Sequence, residues 1–138
     1  MMRRISVLPI ALATVVAGSL INAGSGWALG AEGLGCRVLP GSTNTFSPNC
    51  SNNQPASSYE VDFAVQGETA PSTYNWSRPT RYAVVSGCSS STNWCYLSVP
   101  GGSIDRSVTV SVTLTQGAAS ETLTSHATIT AYCNGQPC

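Results

Sequence analysis

After residue 58 apolar and polar residues alternate with period two, and no stretch beyond residue 30 has the helical period. Val108, Val110, Val112 and Leu114 alternate with Thr109, Ser111, Thr113 and Thr115, the mark of a half-buried strand rich in β-branched residues. Gln116-Gly117-Ala118-Ala119-Ser120 then reads as a turn. Beyond it Leu123, Ala127, Ile129 and Ala131 share one parity, while Thr122, Thr124, His126, Thr128 and Thr130 share the other. The two segments predict a long antiparallel hairpin with one apolar and one threonine-rich face. Tyr59, Val61, Phe63 and Val65 alternate with Glu60, Asp62 and Ala64 as far as Gly67, which predicts another strand. Thr73-Tyr74-Asn75-Trp76-Ser77 is a short strand stopped near Pro79, and residues 81–86 and 95–99 flank a cysteine-bounded loop as a hairpin.

Six or seven short strands, separated by turns every 8–12 residues or so, predict an all-β, antiparallel β-sandwich. One sheet cannot bury its apolar face alone, so a second must cover it, with Trp76 as the obvious large central side chain. Residues 40–57 are turn-rich and predict a long loop with at most one edge strand. The expected organisation is a leader over 1–30, a loop-rich N-terminal segment over 31–57 and the sandwich over 58–138.

The leader has the layout of a secretory signal peptide. Arg3 and Arg4 precede an uncharged apolar run over 7–21, and Gly26-Trp27-Ala28 is the best small-residue cleavage signal. The apolar run is shorter than the roughly 20 residues that span a bilayer. The expectation is therefore a protein secreted or periplasmic, with no membrane attachment after cleavage. All six cysteines (Cys36, Cys50, Cys88, Cys95, Cys133 and Cys138) lie downstream of the leader. In an exported chain an even number reads as disulfides. Proximity favours Cys88–Cys95 and Cys133–Cys138, leaving Cys36 with Cys50; the rival pairing ties Cys36 or Cys50 to Cys133 or Cys138.

Charge narrows the function classes. Charged residues are 9% of the chain, against roughly 25% in ordinary soluble proteins. Lysine is absent, and beyond the leader four arginines face six acidic residues, a balance near −2. Such a chain has no electrostatic footprint for nucleic acid. No phosphate loop or dinucleotide fingerprint occurs, so no cofactor is expected. Cysteines without metal-ligand spacing and a single histidine give no metal site.

A resemblance can be stated on particular residues. Tyr74-Asn75-Trp76, then Gly87-Cys88…Cys95, then a Val/Thr strand pair ending in Ala131-Tyr132-Cys133, resembles bacterial secreted immunoglobulin-like domains over about residues 58–133. The resemblance implies an immunoglobulin-like sandwich. One departure is clear: that family's inter-sheet bridge needs a cysteine on the strand before the tryptophan, and Tyr59–Val65 has none.

Candidate chemistry is sparse. His126, the one histidine, falls on the threonine-rich face as a solvated residue, and no G-x-S-x-G elbow is present. Glu60 and Asp62 share one strand face about 7 Å apart and read as a solvated pair rather than a glycosidase or cation site. Trp94 inside the Cys88–Cys95 loop, with Tyr96 close by, offers an aromatic platform on a restrained backbone. The leading expectation is a non-catalytic structural or interaction module with a protein or glycan partner. The alternatives are a carbohydrate-binding protein using Trp94 and Tyr96, and a secreted inhibitor that inserts the Cys88–Cys95 loop into an enzyme.

Overall fold

The alternating segments become strands of two sheets whose inward side chains form one core. The computed structural model describes residues 29–41 and 44–138, and among these it contains ten strands and no helix. They are β1 (Gly33–Leu39), β2 (Asn49–Ser51), β3 (Ser58–Gln66), β4 (Thr73–Ser77), β5 (Ala83–Gly87) and β6 (Trp94–Pro100). β7 (Arg106–Gln116) and β8 (Ala119–Ile129) follow, then the short pair β9 (Tyr132–Cys133) and β10 (Gln136–Pro137). The expected leader over 1–30 lies outside the described residues except for Leu29 and Gly30. Leu29 already packs against the core.

The first sheet has the order β1-β3-β6-β5 and the second β2-β8-β7-β4. Every pairing is antiparallel except that of β2 with β8. That parallel pair departs from the purely antiparallel expectation. Its cause is that the chain crosses from one sheet to the other between β1 and β2 instead of turning back in a hairpin. Eight strands build the two sheets, more than the six or seven expected, because the segment 31–57 contributes β1 and β2. The segment is less loop-like than its composition suggests: Leu34, Cys36 and Val38 alternate inward between glycines and an arginine.

Inward positions on β1, β3, β6, β7 and β8 are almost completely buried and form a single cluster around Phe63, Leu97, Leu114 and Ile129. Each such side chain contributes about 1.5–3 kcal/mol of burial. The β7–β8 hairpin turns on Gly117 and Ala118 alone, with Gly117 at φ 59°. A positive φ at the first of two turn residues is the glycine-first hairpin turn that matches strand twist. Trp76 is not central. It points inward from β4, an edge strand, and is half-buried at the core margin with its indole N–H on the Thr92 carbonyl at 3.0 Å.

Both open sides of the sheet pair are clasped. On one side Cys36 of β1 bonds Cys50 of β2, joining the first sheet to the second. On the other, the loop closed by Cys88–Cys95 reaches from the first sheet to β4. Its Ser90 carbonyl accepts from Tyr74 N–H and its Asn93 carbonyl from Val65 N–H. The third bridge, Cys133–Cys138, closes only the exposed β9–β10 pair. The proximity pairing therefore holds.

These roles give unequal expected losses. Cys36→Ala/Cys50→Ala is expected to lower global stability by about 3 kcal/mol. Cys133→Ala/Cys138→Ala should cost less than about 1 kcal/mol, because an exposed terminal pair opens without opening the core. Urea melts of the two double variants check the difference.

Candidate functional site

Among the described residues five polar side chains are buried: Glu32, Asn52, Asp62, Gln116 and Ser125. A buried polar group without a partner costs about 1–3 kcal/mol, so each needs an account. Three pin loops. Asn52 donates to the Tyr59 hydroxyl and the Thr130 carbonyl and accepts from Thr130 N–H. Gln116 donates to the Ala70 carbonyl and the Ser72 hydroxyl, and Ser125 donates to the Pro48 carbonyl. Glu32 and Asp62 differ, because each keeps one buried carboxylate oxygen without a donor.

Asp62 sits on the outward side of β3, in the middle of the first sheet. Its neighbours across the strands are Arg37 on β1 and Tyr96 on β6. Arg37 Nε donates to Asp62 Oδ2 at 2.8 Å, and its guanidinium lies 4.9 Å from the centre of the Phe46 ring. These flanking groups shut water away, so Asp62 is fully buried although it points away from the core. The expectation of a solvated carboxylate pair is corrected at this residue.

Glu60, two positions along the same face, is half-buried. Burial first, then the charge of Asp62 and a hydrogen bond with it, raises the Glu60 pKa above its ordinary value, while Arg37 opposes the rise. The raised pKa favours the neutral Glu60 carboxyl beside Asp62, whose Oδ1 has no donor.

The aromatic part of the face comes from β6. Trp94 and Tyr96 both point outward from it, about 6.6 Å apart along the strand. Trp94 is the first residue of β6 rather than a loop residue, and it remains 37% exposed. Its indole rests against Gly87 on β5 and donates to the Ser86 hydroxyl at 3.3 Å. A Cβ at Gly87 would stand 2.5 Å from Trp94 Cδ1, and Gly87 has φ +73°, so only glycine fits. The ring is held in place by backbone rather than by a flexible loop.

The two aromatics picked out in the sequence therefore do share a surface, and that surface also carries Arg37, Phe46, Glu60 and Asp62. Arg37 and Phe46 were not expected there. Arg37 belongs to β1, whose pairing with β3 spans a long connection and leaves no local signal. His126, by contrast, lies on the outer face of the second sheet with Nδ1 3.0 Å from Thr109 Oγ1. It joins no other chemical group. The Cys88–Cys95 loop leans on its neighbours while Ser89, Ser90 and Ser91 stay exposed: besides the two carbonyl contacts with Val65 and Tyr74, its Thr92 carbonyl takes the Trp76 indole and Asn93 donates to Glu68.

The raised Glu60 pKa has a pH signature. A folded-state pKa above the unfolded one gives stability that is complete below the unfolded value, near 4.5, and that is lost as pH rises through the folded value. Glu60→Gln keeps a donor toward Asp62 and removes that loss. Between pH 4 and pH 7 the wild-type melting temperature should fall progressively relative to that of Glu60→Gln, as thermal melts can check; a gap independent of pH would contradict a raised Glu60 pKa. Comparison of the chain with protein-family models, curated proteins and solved structures finds no match, so the geometry of this face carries the functional reading.

Proposed function

We propose that this protein is an exported, non-catalytic, immunoglobulin-like β-sandwich that binds glycan on the outer face of its first sheet. The observation that carries the reading is an indole fixed against Gly87 beside Tyr96 and a buried, ion-paired carboxylate. A sugar ring presents an apolar C–H face, which suits an aromatic surface, and hydroxyls, which suit carboxylate, phenol and guanidinium groups. Ligand pockets of this kind need only a few polar groups held in position.

Strand order supports the immunoglobulin-like part. In chain order the eight strands correspond to A, A′, B, C, D, E, F and G, which gives sheets ABED and A′GFC. Constant-type immunoglobulin domains have ABED and CFG. Trp76 then stands on the C strand, where that fold keeps a tryptophan. The missing B-strand cysteine is replaced at the centre of β3 by Phe63, which is fully buried. Three disulfides suit an oxidising, extracytoplasmic setting and support export with removal of the leader.

The carboxyl geometry supports a binding role over hydrolysis. Retaining glycosidases hold their carboxyls about 5–5.5 Å apart and inverting ones farther. Glu60 and Asp62 stand side by side on one strand face, and Asp62 is fully buried and held by Arg37, so it offers no free carboxylate to a sugar carbon. A protein partner is the second reading. It draws on edge strand β5, where Val84 and Val85 are 39% and 52% exposed.

Glycan-array screening followed by calorimetry tests the proposal. Trp94→Ala should weaken binding of the best glycan by about tenfold, equivalent to ~1.4 kcal/mol. Tyr96→Phe, which keeps the ring, should weaken it less. Glycan binding unaffected by Trp94→Ala would remove this face from consideration.

A further inference from the structure

Another unpartnered carboxylate oxygen lies at Glu32. Its Oε2 accepts from Gly30 N–H at 2.8 Å and Ala31 N–H at 3.1 Å. Its Oε1 is buried and receives nothing, and the residue is only 8% exposed. Among the described residues the ion pair formed is that of Arg37 with Asp62, so no arginine answers Glu32. The chain immediately upstream is the adjacent source of a donor, because the carboxylate already takes the two amides that follow Leu29.

We propose that the chain is cut between Ala28 and Leu29 by a peptidase that recognises small residues, and that the freed α-ammonium of Leu29 docks on Glu32. Three observations converge on this bond. Gly26 and Ala28 place small residues three and one positions before it, as a signal-peptide cleavage site requires. Leu29 packs against the core, so the folded part reaches back to that residue. Glu32 already accepts from the amides of Gly30 and Ala31, so the Leu29 nitrogen is the next one back along the segment that the carboxylate holds.

The reaction is a hydrolysis. The amide C–N bond breaks, water gives its hydroxyl to the Ala28 carbonyl carbon and a proton to the Leu29 nitrogen. At neutral pH Ala28 departs as a carboxylate, and the proton it releases makes Leu29 an ammonium. Before cleavage Leu29 N carries one hydrogen in a fixed amide plane. Afterwards it carries three on a rotatable group with a full charge, matched to a buried anionic oxygen. The Gly30, Glu32 and Ala31 backbone N–H groups lower the Glu32 pKa, the Gly30 bond most, and keep its carboxylate ionised.

This inference rests on the export reading but not on the glycan one. The test uses the full chain, exported by a host through an oxidising compartment. Intact mass and N-terminal sequencing should show a start at Leu29. The α-amino pKa, followed by NMR, should exceed the ordinary 7.7–8.0 by about one unit. Glu32→Gln, whose amide oxygen can still accept from Gly30 and Ala31, should return it to the ordinary range. The same substitution should lower the melting temperature by about 4 °C with a free Leu29 terminus, and by less after N-acetylation. A start at another residue overturns the proposal, as does an α-amino pKa indifferent to Glu32→Gln. Exported, disulfide-bonded protein that retains its leader would defeat the cleavage while leaving export intact.

Discussion

The structure depends on keeping two apolar sheet faces together with a small supply of large side chains. The cluster around Phe63, Leu97, Leu114 and Ile129 is otherwise half valine, with tyrosine, cysteine, leucine and alanine making up the rest. Such a core opposes a chain entropy of similar size, and few charges are available to help. The sheets are accordingly tied at both sides, by Cys36–Cys50 between β1 and β2 and by the Cys88–Cys95 loop against β4. Burying Asn52, Gln116 and Ser125 extends the same logic to the connections. Each fixes a loop to a strand through side-chain bonds that water cannot easily replace.

Among the described residues five buried polar atoms lack a partner: Glu32 Oε1, Asp62 Oδ1, Glu121 Oε2, the Tyr82 hydroxyl and Arg106 Nε. An unpaired buried polar atom calls for an explanation, and the first two bear on the proposals made above. Asp62 lies beside a second carboxyl, Glu60, on a face that also holds two aromatic rings in register. At Glu32 the partner is a group that the uncut chain does not yet possess. One oxygen thus points to ligand recognition and the other to maturation, although the two residues meet the same physical cost.

Local pattern was enough to expose the strands with strict alternation. β7, β8 and β3 are written in their valines and threonines, and short separations suggested the disulfide pairs. β1 was hidden because its inward residues Leu34, Cys36 and Val38 are spaced by Gly35 and Arg37 and resemble a loop in composition. The site was half legible. Trp94 and Tyr96 lie on one strand, so parity alone places them together. The burial of Asp62 depends on β1 and β6 arriving on either side of β3, from 25 residues before and 34 after in register. No periodicity within β3 records who its neighbours are. Trp76 illustrates the reverse error: its inward parity was correct, but the edge position of β4 limits its burial.

The contrast between the two outer faces supports the proposal that recognition belongs to the first. On the second sheet Thr109 pairs with His126, Ser111 with Thr124 and Thr113 with Thr122, at 2.8–3.0 Å. These cross-strand hydroxyl pairs satisfy one another, stabilise the hairpin and leave little for a ligand to gain. The first sheet instead combines a fixed indole, a phenol and a carboxyl pair desolvated by its own neighbours. A ligand hydroxyl arriving there meets groups whose water has already been removed and whose positions are already set. The ordering cost of binding is then borne largely by folding, which is the condition under which a shallow surface can become a specific one.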